Sequence, residues 1–142
     1  MILVDVNVLL YAHREESTRH EEFRRWLEEA IGGTEPFTIS ELVLGGCLRV
    51  LTHPRIFDPP TPLAEAIDYV AWIRRHEQVT VLSPGDRHWR IFLDLCQRSD
   101  ARGNLVGDAY HAALAIETGA TWITTDRDYA RFPGLRFRHP ID

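Results

Sequence analysis

Short runs of β-prone apolar residues alternate along the chain with longer segments in which apolar residues recur every three or four positions. The short runs predict strands at residues 2–4, 36–39, 79–82, 121–125 and 135–138. The longer segments predict helices with one buried face at residues 6–13, 18–31, 41–51, 62–73, 83–96 and 107–119. Strands separated by such helices are typical of right-handed βαβ crossovers. The pattern therefore predicts an α/β fold with a mainly parallel central sheet of about four to five strands, flanked by helices.

Capping signals mark several of the predicted helix starts. Thr18, followed three residues later by Glu21, fits a capping box, and Ser40 is a natural N-cap for the helix after the second strand. Pro62 suits the first helical position of the next helix. The helices around residues 23–31 and 67–73 offer more apolar face than a lone domain of this size must bury, which favours a homodimer, although core packing alone also accounts for these faces.

Length and cysteine usage restrict the class of protein. A chain of 142 residues with 44% hydrophobic content fits one domain, residues 1–142, with its own core. Cys47 and Cys96 lie in apolar stretches and are typical of free thiols in a reduced compartment. No apolar run approaches the roughly 18 residues of a spanning helix, and no basic region precedes the first apolar residues. We expect a cytoplasmic protein with no membrane anchor.

The basic residues are all of one type. The formal net charge is −5, which opposes nucleic-acid binding only if the acidic residues are spread evenly. All 16 basic residues are arginine, whose planar guanidinium suits bidentate phosphate contact, although genome base composition explains the same usage. The absence of lysine excludes a catalytic-lysine mechanism. Four arginines either line an RNA path or form a solvated face: Arg127, Arg131, Arg136 and Arg138.

Acidic residues follow the predicted strands at the edge where parallel sheets bind ligands. Asp5 ends the first strand, Glu41 follows the second, Asp108 opens the helix before the fourth, and Asp126 follows the fourth. Carboxylates gathered at one edge repel each other unless a divalent cation holds them together. Hard oxygen ligands favour Mg²⁺, with Mn²⁺ as an alternative, over zinc.

Each acid also has a purely structural explanation. Asp5 and Asp108 suit the N-cap positions of helices, and we weight cap and catalyst equally for each of them. Glu41 in a first helical turn complements the helix dipole, and Asp126 initiates a turn with Asp128. Capping alone does not predict that all four lie at one sheet edge. The set therefore carries more weight than any single member.

Three segments together resemble a known family. They are DVNVLLYA at residues 5–12, NLVGDAYHAALA at 104–115 and TTDRDY at 124–129. This combination resembles the PIN-domain pattern over nearly the whole chain. It is most similar to the VapC-type toxins of bacterial toxin–antitoxin pairs, in the group that also carries LRVLTHPR, here at 48–55, and ARGNL, here at 101–105.

The resemblance implies a Mg²⁺-dependent endoribonuclease that cleaves RNA phosphodiester bonds with water activated by the metal. It also implies a small cognate antitoxin protein as partner, and a homodimer. Asp5, Asp108 and Asp126 match the family's first, third and fourth acidic positions. Many members place the second acid about where Gly46 or Cys47 stands here, so Glu41 is either the substitute or an outer-shell residue.

The resemblance further implies supporting roles for three residues. Asp128 replaces or assists Asp126, and Asn7 and Thr125 orient the acids by hydrogen bonds. These roles complete the predicted site.

Other chemistries have weaker support in the sequence. The seven histidines show no zinc-binding spacing, His111 is better explained as a helix-face residue than as a general base, and no serine lies in a nucleophile elbow. An aspartyl-nucleophile phosphatase also places an acid after its first strand, but it needs a second aspartate where Asn7 stands and a later lysine. The remaining alternative is a catalytically inactive PIN-like domain that binds RNA or protein.

Overall fold

Five strands and six α-helices alternate along the chain, as the apolar pattern predicted. The computed structural model describes all 142 residues. The strands are β1 Ile2–Val4, β2 Phe37–Ser40, β3 Val79–Leu82, β4 Thr121–Ile123 and β5 Phe137–Arg138. The α-helices are α1 Val6–His13, α2 His20–Ile31, α3 Glu41–Leu51, α4 Leu63–Arg75, α5 His88–Ser99 and α6 Asn104–Thr118. A 3₁₀ helix follows β4 at Arg127–Arg131.

All neighbouring strands pair in parallel, in the order β3-β2-β1-β4-β5. The predicted α/β fold class is confirmed. The chain first extends the sheet from β1 through β2 to β3, and then returns to the other side of β1 with β4 and β5. The order therefore reverses between β1 and β4, and the carboxyl ends of these two strands form the crevice in which such sheets bind ligands.

The core is one cluster of 29 buried residues that includes every residue of β1. The apolar face of α2 belongs to it, since Phe23, Leu27 and Ile31 are each only 3% exposed. The prediction that α2 has apolar face to spare for a dimer is therefore wrong. Helix α4 differs, because Ile67 and Trp72 remain 44% and 38% exposed.

Several helices start at residues other than those predicted. Arg19 adopts a left-handed conformation, with φ of 60°, directly before α2, and no side chain caps that helix. The capping box of Thr18 and Glu21 is therefore not formed. Pro62 is the N-cap of α4 rather than its first helical residue. Helix α6 begins at Asn104, three residues before the predicted start.

Helix α5 begins at His88, five residues later than predicted, because an acidic side chain holds the preceding segment as a loop. The Glu117 carboxylate accepts hydrogen bonds from the backbone N–H groups of Gly85 (2.8 Å) and Arg87 (3.0 Å). These donors are thereby satisfied outside a helix. Ser40 does cap α3 as predicted, and its hydroxyl accepts a hydrogen bond from the Val43 N–H at 3.1 Å. None of the helices combines the length and apolar character needed to cross a membrane.

Candidate active site

The side chain of Asp5 lies at the junction of the two central strands and is only 6% exposed. It is the N-cap of α1, and its Oδ1 accepts a hydrogen bond from the Val6 N–H at 2.7 Å. Its Oδ2 accepts from the Thr124 hydroxyl at 2.6 Å and from the Asn7 amide at 3.1 Å. The structural and functional explanations of Asp5 thus coincide, because the carboxylate that caps α1 also faces the end of β4.

Thr124 links the ends of β1 and β4, and the sequence analysis did not single it out. Its hydroxyl donates to Asp5 and accepts hydrogen bonds from the Asp126 N–H at 3.0 Å and the Asn7 amide at 3.3 Å. The Asn7 amide thus contacts both Asp5 and Thr124. Thr125 contributes only its backbone N–H, which donates to the side-chain Oδ1 of Asn7 at 3.3 Å.

Asp108 reaches the same edge from α6. Its Oδ1 accepts a hydrogen bond from the Tyr129 hydroxyl at 3.4 Å, and Tyr129 is 2% exposed in the 3₁₀ helix after β4. Asp126 caps that 3₁₀ helix, since its Oδ1 accepts the Asp128 N–H at 2.8 Å. Tyr129 thus connects α6 to the turn that carries Asp126 and Asp128.

The pKa values show that three of these carboxylates share one electrostatic environment. The pKa of Asp5 is raised to about 6, mainly by burial and in smaller part by the negative charges of Asp108 and Asp126, although hydrogen bonds from Thr124 and Val6 lower it. The three carboxylates therefore lie near enough to one another for each negative charge to oppose ionisation of its neighbour.

The pKa of Asp108 is raised by burial first and then by the charge of Asp126, with a smaller contribution from Asp128. Burial and the neighbouring carboxylates also hold the pKa of Tyr129 well above its usual range, so its hydroxyl stays protonated and donates. No arginine or histidine forms an ion pair with Asp5, Asp108 or Asp126. Their negative charge is uncompensated by the protein.

This donor set fits a hard divalent cation. Carboxylate oxygens are the ligands that Mg²⁺ and Mn²⁺ prefer, and a cation balances charges that otherwise raise each other's pKa. No three acidic, histidine or cysteine side chains stand together as a group that could hold a metal ion in this structure.

Glu41 stands apart from these three acids. It is exposed at the start of α3, and its Oε2 accepts a hydrogen bond from the Arg74 guanidinium at 3.1 Å. The later positions on α3 are unsuited to an acid that faces the sheet edge. A Cβ on Gly46 would meet Val6 at 3.1 Å, and Cys47 is fully buried in the core. Glu41 is the one acid that α3 offers.

The chain belongs to the PIN-domain family, whose family model matches residues 2–135. The resemblance read from the motifs is thereby confirmed. VapC ribonuclease Mb2897 of Mycobacterium bovis is 43% identical over 142 residues, which cover 100% of this chain and 97% of the relative. Ribonuclease VapC25 of Mycobacterium tuberculosis is 39% identical over 140 residues, which cover 99% of each chain.

Solved structures share the fold at lower identity. VapBC2 from Rickettsia felis, bound to a DNA fragment from its promoter, superposes with a TM-score of 0.74 at 17% identity and covers 98% of each chain. VapC20 of Mycobacterium tuberculosis, described as a sarcin-ricin loop cleaving toxin, gives a TM-score of 0.68 at 21% identity, with 96% of this chain and 99% of that one covered. The family assignment and the fold therefore agree.

Thr124→Val is expected to weaken divalent-cation binding about 10- to 100-fold, because the lost hydroxyl orients Asp5 and accepts the Asp126 N–H. Isothermal titration with Mn²⁺ measures the affinity. Thr125→Val is the matched control, since the Thr125 side chain makes none of these hydrogen bonds. Equal affinities of the two variants would contradict the positioning role of Thr124.

In metal-free protein, the charge on Asp5 should cost stability as the pH rises. The pKa of Asp5 is about 6 in the folded state, whereas the ordinary value is 3.8. The contribution of the protonated carboxyl to the free energy of unfolding is therefore full below pH 3.8 and is lost as the pH rises through 6. The loss is about 3 kcal/mol. The free energy of unfolding of the parent, relative to Asp5→Asn, should therefore fall between about pH 4 and about pH 7. Urea unfolding in EDTA measures this difference, and a difference independent of pH would refute the assignment.

Proposed function

We propose that this chain is a metal-dependent endoribonuclease and the toxin of a type II toxin–antitoxin pair. The observation that carries the proposal is the uncompensated carboxylate cluster of Asp5, Asp108 and Asp126 at the point where the strand order reverses. Relatives named VapC ribonucleases match nearly the full chain and support the same activity. The free thiols of Cys47 and Cys96 fit a reducing compartment, which favours the cytoplasm.

Asp5, Asp108 and Asp126 are the residues that would hold Mg²⁺, with Mn²⁺ as the alternative. When bound, the cation lowers the pKa of water and neutralises charge on the phosphoryl oxygens. Asp5 is the best-ordered acid of the three, since three donors fix its two oxygens. The Tyr129 hydroxyl holds Asp108 by a hydrogen bond to its Oδ1.

The flanking acids have secondary roles in this proposal. Asp128 is exposed, donates its N–H to Asp126 and adds negative charge near Asp108, so it assists Asp126 rather than replacing it. Glu41 is the second acid of the site, and it would bind the cation or its waters after its ion pair with Arg74 has opened. An exposed ion pair of this kind is worth only about 0–1 kcal/mol, so the cost of releasing Glu41 is small.

RNA is the substrate that the carboxylate edge would receive. Two of the four arginines near the end of the chain are already engaged, since Arg136 donates to the Gly119 carbonyl and Arg138 pairs with Glu35. Arg127 and Arg131 make no such contact, and they are the first and last residues of the 3₁₀ helix that Asp126 caps. Arg127 and Arg131 are therefore the phosphate-contacting pair in this proposal.

The partner would be a small antitoxin protein, as in the VapBC assemblies that share this fold, and the chain itself would form a homodimer. Helix α4 supports a protein contact, because Leu63, Ile67 and Trp72 expose 59%, 44% and 38% of their surface. Exposed apolar residues clustered on one helix are typical of an interface.

Cleavage of RNA that requires a divalent cation tests the proposed activity directly. Asp108→Asn and Asp5→Asn should each lower the cleavage rate at least tenfold, because each removes one charged ligand, and a tenfold loss corresponds to about 1.4 kcal/mol of transition-state stabilisation. Gel-resolved cleavage of RNA with Mg²⁺, and with EDTA as control, measures the rates. A cleavage rate equal to that of the parent, in either variant or in the presence of EDTA, would contradict the metal-dependent mechanism. A folded parent that binds RNA without cutting it would favour the inactive binding domain.

Glu41→Gln should raise the Mg²⁺ concentration needed for half-maximal cleavage about 10- to 100-fold, with partial recovery of the rate at high Mg²⁺, if Glu41 binds the cation or its waters. Arg74→Ala is the matched control, because it removes the same ion pair and leaves the carboxylate in place. Its Mg²⁺ titration should match the parent curve or shift to lower concentration. Superimposable curves for Glu41→Gln and the parent would show that Glu41 only pairs with Arg74.

A further inference from the structure

A pocket of about 480 Å³ opens where α3, α5 and α6 meet the carboxyl end of β3. Its size lies within the roughly 300–1,000 Å³ of small-molecule sites in proteins. It combines apolar walls with aromatic rings and a few polar groups. Its lining includes Ser40, Ser83, Phe92, Val106, Tyr110 and His111.

The pocket adjoins the carboxylate edge. Glu41 and Gly107 both line it, and Asp108 follows Gly107 directly. Asp108 and His111 are three residues apart on α6, so they lie on one face of that helix with about 5–6 Å between their Cβ atoms. A nucleotide next to a phosphate held at Asp108 would therefore reach the pocket.

His111 is the one imidazole in the lining of this pocket, and the proposed reaction does not use it. Its ring stacks on the fully buried ring of Trp122, with 5.4 Å between centroids and 17° between planes. Neither ring nitrogen has a hydrogen-bond partner in the protein, and neither is sealed from solvent. Burial lowers the pKa of His111 to about 4, so at pH 7 the neutral ring offers one donor and one acceptor.

The neighbouring His88 shows what a purely structural histidine looks like in this region. It is 2% exposed, and its Nε2 is hydrogen-bonded to the Tyr110 carbonyl at 3.0 Å. His111 lines the pocket and has no hydrogen bond within the protein, whereas His88 is hydrogen-bonded to the backbone and does not line the pocket. His111 is thus arranged to bind something that enters from outside.

The chemistry of the pocket favours a nucleobase over a phosphate group. Its lining contains no arginine and includes Glu41, so it offers no positive charge to an anion. Flat aromatic and apolar walls accommodate a π-system, and proteins that read RNA by sequence hold unstacked bases in this way. A neutral imidazole matches the mixed donor and acceptor groups on the edge of a base.

We propose that this pocket binds one unstacked nucleobase next to the scissile phosphate, and that His111 selects the base by hydrogen bonding to its edge. The inference rests on the proposed RNA substrate and adds a specificity-determining residue to it. His111 contacts the base and takes no part in the hydrolysis.

The first experiment uses single-stranded oligoribonucleotides that the parent cleaves at one position, each carrying one abasic residue near the cut. An abasic residue at the position held by the pocket should lower kcat/KM of the parent at least fivefold. The four bases at that position should also differ at least fivefold in kcat/KM. Cleavage that tolerates abasic residues at every flanking position would overturn the pocket assignment while leaving the ribonuclease function intact.

The second experiment replaces His111. His111→Phe keeps an aromatic ring on Trp122 and removes both nitrogens, so it should fold and lose the fivefold preference among bases. His76→Phe is the matched control, because His76 lies at the end of α4 and does not line the pocket. Thermal melting and Mn²⁺ affinity should be the same for His111→Phe and the parent. An undiminished base preference in His111→Phe would overturn the role of His111.

The third experiment measures binding without cleavage, by fluorescence anisotropy of the same oligonucleotides on Asp108→Asn protein. Base-dependent binding that is lost in the Asp108→Asn/His111→Phe double variant supports the pocket even if the parent does not cut RNA. Binding that depends neither on the base nor on His111 would overturn the proposed base pocket. The pocket would then be better explained as a site for a side chain of a protein partner. Failure of the pocket and failure of the ribonuclease function are therefore distinguishable.

Discussion

The buried carboxylate of Asp5 lies where the two central strands end, and the surrounding structure has to accommodate its charge. Three donors hold it: the first N–H of α1, the Asn7 amide and the Thr124 hydroxyl. These bonds join β1, α1 and the end of β4 at one point. These hydrogen bonds do not fully offset the cost of burying the charge, since the pKa of Asp5 remains raised to about 6. In the proposed function a divalent cation would supply the missing positive charge. The carboxylate that lowers the stability of the metal-free protein would then be the one that binds the cation.

The other acids reach this point through different connections, and each connection also maintains the fold. Asp108 is carried by α6 and fixed by Tyr129, whose ring is buried beside Trp122 at 5.5 Å between centroids. Asp126 begins the 3₁₀ helix that places Tyr129 there. The same Trp122 ring also stacks against the ring of His111. One buried tryptophan on β4 thus underlies both the carboxylate edge and the adjoining pocket.

The parts of the molecule set by local chemistry could be predicted from the sequence. The apolar run Ile2–Val4 forms a fully buried strand, and Ser40 caps α3 because its hydroxyl meets an N–H that lacks a helical partner. The positions of Asp5 and Asp126 could be predicted because parallel sheets bind ligands at the carboxyl ends of their strands. These inferences need no knowledge of distant contacts.

The parts set by long-range contacts could not be predicted. Glu117, thirty residues away in sequence, holds the loop before α5. Thr124 orients Asp5 across 119 residues of sequence, and only the pairing of Val4 with Ile123 reveals that Thr124 faces Asp5. A motif match alone pointed to Thr125, one position later. Glu41 has the predicted place in the sequence, but its pairing with Arg74 on α4 depends on helix packing.

A crystal structure of the protein soaked with Mn²⁺, with the ion located by its anomalous scattering, tests the central claim most directly. The account predicts Mn²⁺ bound by oxygens of Asp5, Asp108 and Asp126, at about the 2.0–2.2 Å expected of small divalent cations with oxygen ligands. It also predicts that Asp5 keeps its hydrogen bonds to Thr124 and Asn7. Mn²⁺ bound elsewhere, or an arginine side chain that neutralises the three carboxylates in its place, would contradict the account.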